Sequence, residues 1–196
     1  MVIPMNFSAA VRNELGRALR NFKYDKTPNG ILFPASGLLF GGVFGAKVDD
    51  GAWEYGPNAV GNEFINDVLN AKFNNTAGAA SWYFAPFINN LAPTSSLKAS
   101  QFANMQGEYE DYTEAARQPW VSNGPSTAQS VSNSNSAAVI TIGGTPATIV
   151  GSGLLSAAAK GATTGEFGAG GLFGIANTLS PGSKLMMTYA LSAAST

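Results

Sequence analysis

Apolar residues recur at helical spacing near the start of the chain. Phe7, Val11, Leu15, Leu19 and Phe22 follow one another at intervals of four, four, four and three. At helical pitch they fall within about a 120° arc, so the pattern predicts an amphipathic helix over residues 7–23. Asn6 or Ser8 is placed to cap it, and Thr27-Pro28-Asn29-Gly30 ends the segment with turn chemistry. From Ile31 to Ala46 the chain is uncharged and mostly apolar, broken by Pro34, Gly37, Gly41, Gly42 and Gly45. It is shorter than a membrane-spanning helix. It reads as one or two buried strands with a Gly turn, or as an apolar arm, carrying Phe33, Phe40 and Phe44, that inserts into a partner.

Residues 48–61 read as a loop around Asp49-Asp50-Gly51 and Gly56-Pro57-Asn58. Asn62 is placed to cap a second, short helix with Phe64, Ile65, Val68, Leu69 and Phe73 on one face, ended by Asn74-Asn75-Thr76-Ala77-Gly78. The aromatic run from Trp82 to Ile88 predicts a strand, and Pro86 places it at an edge or an end. Leu91 to Gln106 is ambiguous, with Ser95 or Ser96 able to cap a helical turn through Leu97 and Phe102.

Beyond that point the period switches to two. Ala137–Ile142 reads as a strand, Gly143-Gly144 as a hairpin turn, and Ala147–Ser156 as a second strand bent at Gly151 and Gly153. Residues 161–174 are Gly-rich with short apolar pieces around Phe167 and Leu172-Phe173. Ser180-Pro181-Gly182 is a turn. In the last strand, Lys184–Ser192, Leu185, Met187, Tyr189 and Leu191 alternate with Met186, Thr188 and Ala190. The expected fold is mainly β: a β-sandwich or jelly-roll-like domain over 47–196. It is preceded by an N-terminal helix and apolar arm over 1–46.

Composition changes the picture in two ways. There is no Cys and no His. No disulfide, thiolate metal site, Cys nucleophile or Ser-His-Asp triad is therefore possible, and the commonest general base is missing. Charge is also scarce: charged residues are 12 % of the chain and the net charge is −1, against about a quarter in an ordinary soluble domain. From Gln118 onwards only Lys160, Glu166 and Lys184 are charged. A surface so poorly supplied with charge is weakly protected against association. Such strands are the best candidate for a working surface, and the expectation is a protein that assembles and does not turn over substrate.

The few charges cluster. Arg12, Arg17, Arg20, Lys23 and Lys26 precede Pro28, opposed only by Glu14 and Asp25. They read as the solvated side of the first helix or as a contact for an acidic partner surface. On a near-neutral chain they are weak evidence for nucleic acid. Glu108, Glu110, Asp111 and Glu114 form the one acidic cluster, without the spacing or central Gly of an EF-hand loop. It reads as a solvated or Arg-paired loop, and Asp49-Asp50 as a turn. No phosphate-binding Gly-Lys-Ser/Thr loop, dinucleotide fingerprint or Gly-x-Ser-x-Gly elbow is present. The segment Met1-Val2-Ile3-Pro4-Met5 lacks the basic and apolar regions of a secretory signal. The sequons at Asn6 and Asn74 then carry little weight. Neither a cofactor nor a metal is expected.

One ordered set of segments carries a resemblance. Tyr109-Glu110-Asp111-Tyr112-Thr113-Glu114-Ala115-Ala116-Arg117-Gln118-Pro119-Trp120 is followed by Val131-Ser132-Asn133-Ser134. Then come the strand Ala138-Val139-Ile140-Thr141-Ile142, an apolar strand through Gly151 and a closing strand ending in Tyr189-Ala190-Leu191. The set, over roughly residues 80–192, resembles small structural proteins of tailed-bacteriophage virions: capsid decoration or cement proteins and tail-fibre-related proteins. The resemblance implies a non-enzymatic role in the virion, with the major capsid protein and further copies of this chain as partners. It implies neither a membrane nor a small-molecule substrate. A tail or fibre adaptor is the alternative. Arg117 is placed to pair with Glu110 or Glu114, and Trp120 to anchor a strand end. Both read as supports of the fold or as interface anchors. The candidate partner contacts are therefore Arg12, Arg17, Arg20, Lys23, Phe33, Phe40, Phe44, Arg117 and Trp120. A third reading is a carbohydrate-binding or carbohydrate-processing protein, with Trp53, Trp82 and Trp120 as stacking residues or, more simply, as core.

Overall fold

Alternation of apolar and polar residues in the last strand is matched by its burial at all but one position: Leu185, Met187 and Tyr189 are enclosed and Met186 and Ala190 half-open, but Thr188 is buried too. The computed structural model describes residues 24–26, 32–34, 38–126 and 128–195. The chain forms two compact units, Phe40–Ala193 and a smaller one of Met1–Leu39 with Ala194–Thr196. In the smaller unit β1 (Tyr24–Lys26) pairs antiparallel with β2 (Leu32–Pro34), Asp25 opposite Phe33. The expected helix over 7–23 lies outside the described residues, and Arg12, Arg17, Arg20 and Lys23 with it.

The larger unit is mainly β, with two sheets and two helices. Its strands are β3 (Leu38–Val48, from Phe40 on), β4 (Glu54–Pro57), β5 (Ala59–Val60), β6 (Trp82–Phe87), β7 (Gln118–Trp120), β8 (Ser130–Ser132), β9 (Ala138–Thr141), β10 (Ala147–Leu155), β11 (Phe167–Leu179) and β12 (Lys184–Ser195, through Ala193). One sheet has the order β5-β11-β10-β6-β7. The other runs β4-β3-β12-β8, with β9 also on β12. Residues from both sheets meet in one core: Phe44, Phe84, Ile140, Ile149, Leu154, Phe173, Leu185, Met187 and Tyr189 among them. Helix α1 (Asn62–Phe73) follows β5. A short helix α2 (Ala99–Phe102) continues into a π-turn at Ala103–Gly107.

The first sheet is covered on both faces, which explains its composition. Ala85, Phe87, Val150, Leu155 and Phe167 form a second cluster with Leu97, Ala99 and Phe102 from the α2 region. Strand β10 is accordingly buried from Ile149 to Leu155 without alternation, as a strand buried on both faces must be. Gly153 is needed there, because a Cβ would lie 2.4 Å from the Phe102 ring.

Several elements differ from the sequence pattern. The stretch 38–48 is a single strand, and Gly41, Gly42 and Gly45 lie within it and form no turn. Two short strands, β4 and β5, occupy the expected loop over 48–61, although Asp49-Asp50-Gly51 is a turn closed by Gly51 N–H on Val48 O. Strand β11 runs for 13 residues through the Gly-rich stretch. Its glycines remove β propensity without removing strand geometry. Gly143-Gly144 does not close a hairpin: β9 pairs with β12, while β10 pairs with β11 and β6. The Asp111 carboxylate accepts Gly144 N–H (3.3 Å) and Thr145 N–H (3.0 Å) and also takes the Thr145 hydroxyl. Gly143 lets the chain cross between sheets against that side chain, since a Cβ there would collide with Asp111. Strand β6 is interior, but β7 reaches only as far as Phe84 along it, so Pro86 lies beyond that ladder. Helix α1 is capped at Gly61, one residue earlier than expected, and α2 at Lys98 and not at Ser95 or Ser96.

Candidate interaction surfaces

The acidic segment divides: Glu108 turns inward with Arg117, while Glu110 and Asp111 are exposed. Arg117 is 1 % exposed. Its partner is Glu108, not Glu110 or Glu114: Nε donates to Oε1 at 2.7 Å and Nη2 to Oε2 at 2.6 Å. Arg117 Nη1 and Nη2 also donate to the carbonyls of Ala157 (2.8 Å) and Ala162 (3.4 Å), and Gly161 N–H donates to Glu108 Oε2 at 3.2 Å. This bidentate pair, tied further to main chain through Ala157, Ala162 and Gly161, holds the 157–162 loop to the 108–117 segment. Lys160 completes the junction by donating to the carbonyls of Glu110 (2.9 Å) and Tyr112 (2.7 Å), its ammonium 3.5 Å from the Tyr112 ring centre. Burial, then the nearby Glu108 carboxylate, pushes the Tyr112 hydroxyl pKa up. Glu114 accepts Thr141 N–H through both oxygens, at 3.2 and 3.0 Å.

Of the other expected contact residues, Phe44 is fully buried in the core. Phe40 is half-buried, its ring 5.8 Å from Phe64 edge to face. Trp120 packs against the core, its indole N–H given to Tyr189 O at 3.1 Å. Trp120 and Trp82, with Phe64, Val131, Leu154, Tyr189 and Leu191, line an apolar cavity of about 220 Å³. Two of the three tryptophans thus belong to the interior. Short edges also temper the expectation of open strand edges. Ser132 O is taken by Asn123 N–H, and Thr141 O by Thr113 N–H. The neutral surface lies on faces.

Helix α1 carries the first such face. Its acidic side is the mounted side. Glu63 Oε2 accepts Ala99 N–H at 3.0 Å and Phe167 N–H at 2.7 Å, and Asp67 accepts Ala79 N–H at 3.1 and 3.2 Å. Phe64 turns inward, edge-to-face on Trp82 at 5.7 Å. At 100° per residue, Ile65, Leu69 and Phe73 form a row on the far side from Glu63 and Asp67. No residue of the helix is fully buried; Leu69 is 47 % and Phe73 80 % exposed. Glu166 lies near the mounted side. Burial, then the charges of Asp67 and Glu63, raises its pKa.

The second face is the outer side of the β4-β3-β12-β8 sheet. Trp53 and Tyr55, two residues apart, share one side of the chain. Their rings are 24° from parallel with centroids 6.3 Å apart. The Tyr55 ring lies over Gly45, where a Cβ would stand 2.8 Å from it. Val43, Thr188, Ala190, Ser132 and Ser134 complete a shallow hollow of about 170 Å³ with no charged side chain in its lining.

No protein-family model matches the chain, and no curated protein matches it in sequence. Function is therefore argued from these surfaces. Among the described residues no group of three or more carboxylates is arranged to hold a metal ion, and no helix is long and apolar enough to cross a membrane. What the arrangement offers chemically is contact. The sequence pattern puts all five α1 apolar residues on one face; the structure turns Phe64 inward and leaves Leu69 and Phe73 exposed. The signal the pattern missed is the Glu63/Asp67 pair, whose i,i+4 spacing marks the side that meets main-chain amides.

Proposed function

We propose that this chain is a structural protein of a tailed-bacteriophage virion, a capsid decoration or cement protein that binds major capsid protein subunits and copies of itself. The observation that carries the reading is the apolar Ile65–Leu69–Phe73 row on a mounted helix, half-buried at Ile65 and exposed at Leu69 and Phe73. An apolar row of this kind, on a protein with few charged residues, is suited to burial against another protein. Burying a Leu or Phe side chain contributes about 1.5–3 kcal/mol, so the row can supply a large part of a micromolar contact. A cement protein acts by such contacts alone, favouring assembled over free subunits by mass action. In this reading the two sheets form a sandwich of jelly-roll type, and the N-terminal segment is a helical arm whose Arg12, Arg17, Arg20 and Lys23 make the second contact. The resemblance of residues 80–192 to virion proteins supports the same assignment.

The test is binding to shells assembled from major capsid protein alone. Wild-type protein cosediments with the shells, whereas L69D/F73D, folded by circular dichroism, loses at least tenfold in affinity. Unchanged binding by that variant contradicts the reading. Quantitative mass spectrometry of particles separates the head from the tail-adaptor alternative: hundreds of copies indicate the shell and a handful the tail.

A further inference from the structure

We propose that the hollow over the outer face of the β4-β3-β12-β8 sheet is a binding site for a neutral saccharide. Trp53 and Tyr55 have no role in either core cluster. Yet they form a nearly parallel aromatic pair, with Tyr55 60 % exposed. Gly45 is what lets the Tyr55 ring lie down on the sheet. An exposed, pre-positioned aromatic surface matches the apolar C–H face of a pyranose ring, and it loses little side-chain entropy on binding.

Ser132 and Ser134 line the same hollow, and a neighbouring amide, Asn123, orders them into a polar rim. Asn123 Nδ2 donates to Ser132 Oγ (3.2 Å) and Ser134 Oγ (2.9 Å), and the two hydroxyls lie 3.3 Å apart. Asn123 Oδ1 accepts Asn135 N–H at 3.1 Å, which fixes the amide's orientation. Each serine hydroxyl has one proton and two lone pairs, so the rim keeps capacity to donate to and accept from sugar hydroxyls. The aromatic pair stacks and the rim hydrogen-bonds. The ligand this combination selects has an apolar face and a polar edge.

Charge decides the sugar class. No lining side chain of the hollow is ionised. Lys47, the cation beside Trp53, stands 5.8 Å from that ring's centre and does not line the hollow. Acidic, sulfated or phosphorylated sugars would leave their charge without a partner, so the site takes neutral hexose or N-acetylhexosamine units. It goes beyond the virion reading and uses different residues, so either can fail alone.

The experiment titrates the full chain with neutral oligosaccharides of glucose, galactose, mannose and N-acetylglucosamine, and with sulfated and uronic acid oligosaccharides. Tryptophan fluorescence and calorimetry provide the readouts. At least one neutral series is expected to bind, with affinity lowered about tenfold by W53A and by Y55A, the order a lost aromatic contact gives. W53F is expected to restore part of it, and L69D/F73D to bind as wild type. Because neither aromatic is in the core, thermal midpoints of W53A and Y55A should stay near wild type, which separates lost binding from lost folding. No binding of any neutral series overturns the proposal. So does binding confined to the acidic sugars, or binding indifferent to W53A and Y55A. A concentration-dependent dimer abolished by Y55A, with no sugar effect on it, would assign the face to a second copy instead.

Discussion

The 108–117 segment and helix α1 arrange the same kinds of residue in opposite ways. In the first, one ion pair goes inward: Glu108 and Arg117 are fully enclosed around each other, while Glu114 and the exposed Asp111 hold main-chain amides. In the second, acidic residues again grip main chain, but Leu69 and Phe73 of the apolar row are left outside. The carboxylates of Glu63, Asp67, Glu108, Asp111 and Glu114 thus serve as fasteners, while Asp49, Asp50, Lys72, Lys98 and Lys184 stay exposed. Charge is scarce rather than hidden, and a charge-poor patch is what the centre of a protein interface needs.

The comparison predicts a gradient of mutational effects. Arg117→Ala leaves the buried Glu108 carboxylate without its counter-charge and should destabilise the fold by about 3–5 kcal/mol, read by denaturant unfolding. A cost below about 1 kcal/mol would mean the pair is not a fastener. Glu63→Ala frees two buried N–H groups and should cost about 1.5–3 kcal/mol. It should also release α1, seen as faster amide exchange over residues 62–73 than in the rest of the chain. L69D and F73D should change stability by less than about 0.5 kcal/mol, as exposed positions do, while weakening association. If they unfold the protein, the row is core and the contrast fails.

Acid titration probes the fasteners more gently. Hydrogen bonds from the Thr145 side chain, then from the Thr145 and Gly144 amides, hold the Asp111 pKa below the ordinary carboxylate range. A depressed folded pKa contributes stability above the unfolded value, and that stability is lost as pH falls through the folded value. Glu166 has the opposite sign. Its pKa is raised by burial and by Asp67 and Glu63, so it favours the folded state in acid and costs stability once pH rises through the folded pKa. Asp111→Asn should therefore flatten the acid limb of the stability curve. Glu166→Gln should raise stability most near neutrality. The reverse pattern would show the two groups to be misassigned.

Strands with alternating burial were legible in the sequence, as Leu185, Met187 and Tyr189 show, and so was α1 as an element. What local pattern could not give was which partner each element meets. Gly143-Gly144 has hairpin chemistry, but Asp111, distant in sequence, turns it into a crossing between sheets. The Gly-rich 161–174 stretch hid β11, because close packing of backbone and rings requires glycine there against local propensity. Arg117 was legible as an ion-pair residue, yet the spacing argument offered Glu110 and Glu114, and only the fold selects Glu108. Among the surfaces, Trp53 was indistinguishable from Trp82 and Trp120 until the last two were found lining the interior. Tyr55 gave no signal until Gly45 was seen beneath its ring.

The most direct test of the central claim is the affinity of this chain for shells of major capsid protein, compared between wild type and L69D/F73D at equal thermal stability. The account predicts saturable wild-type binding at many copies per shell and at least a tenfold loss in the variant. Wild-type protein that does not bind shells, or a variant that binds as tightly, would contradict it.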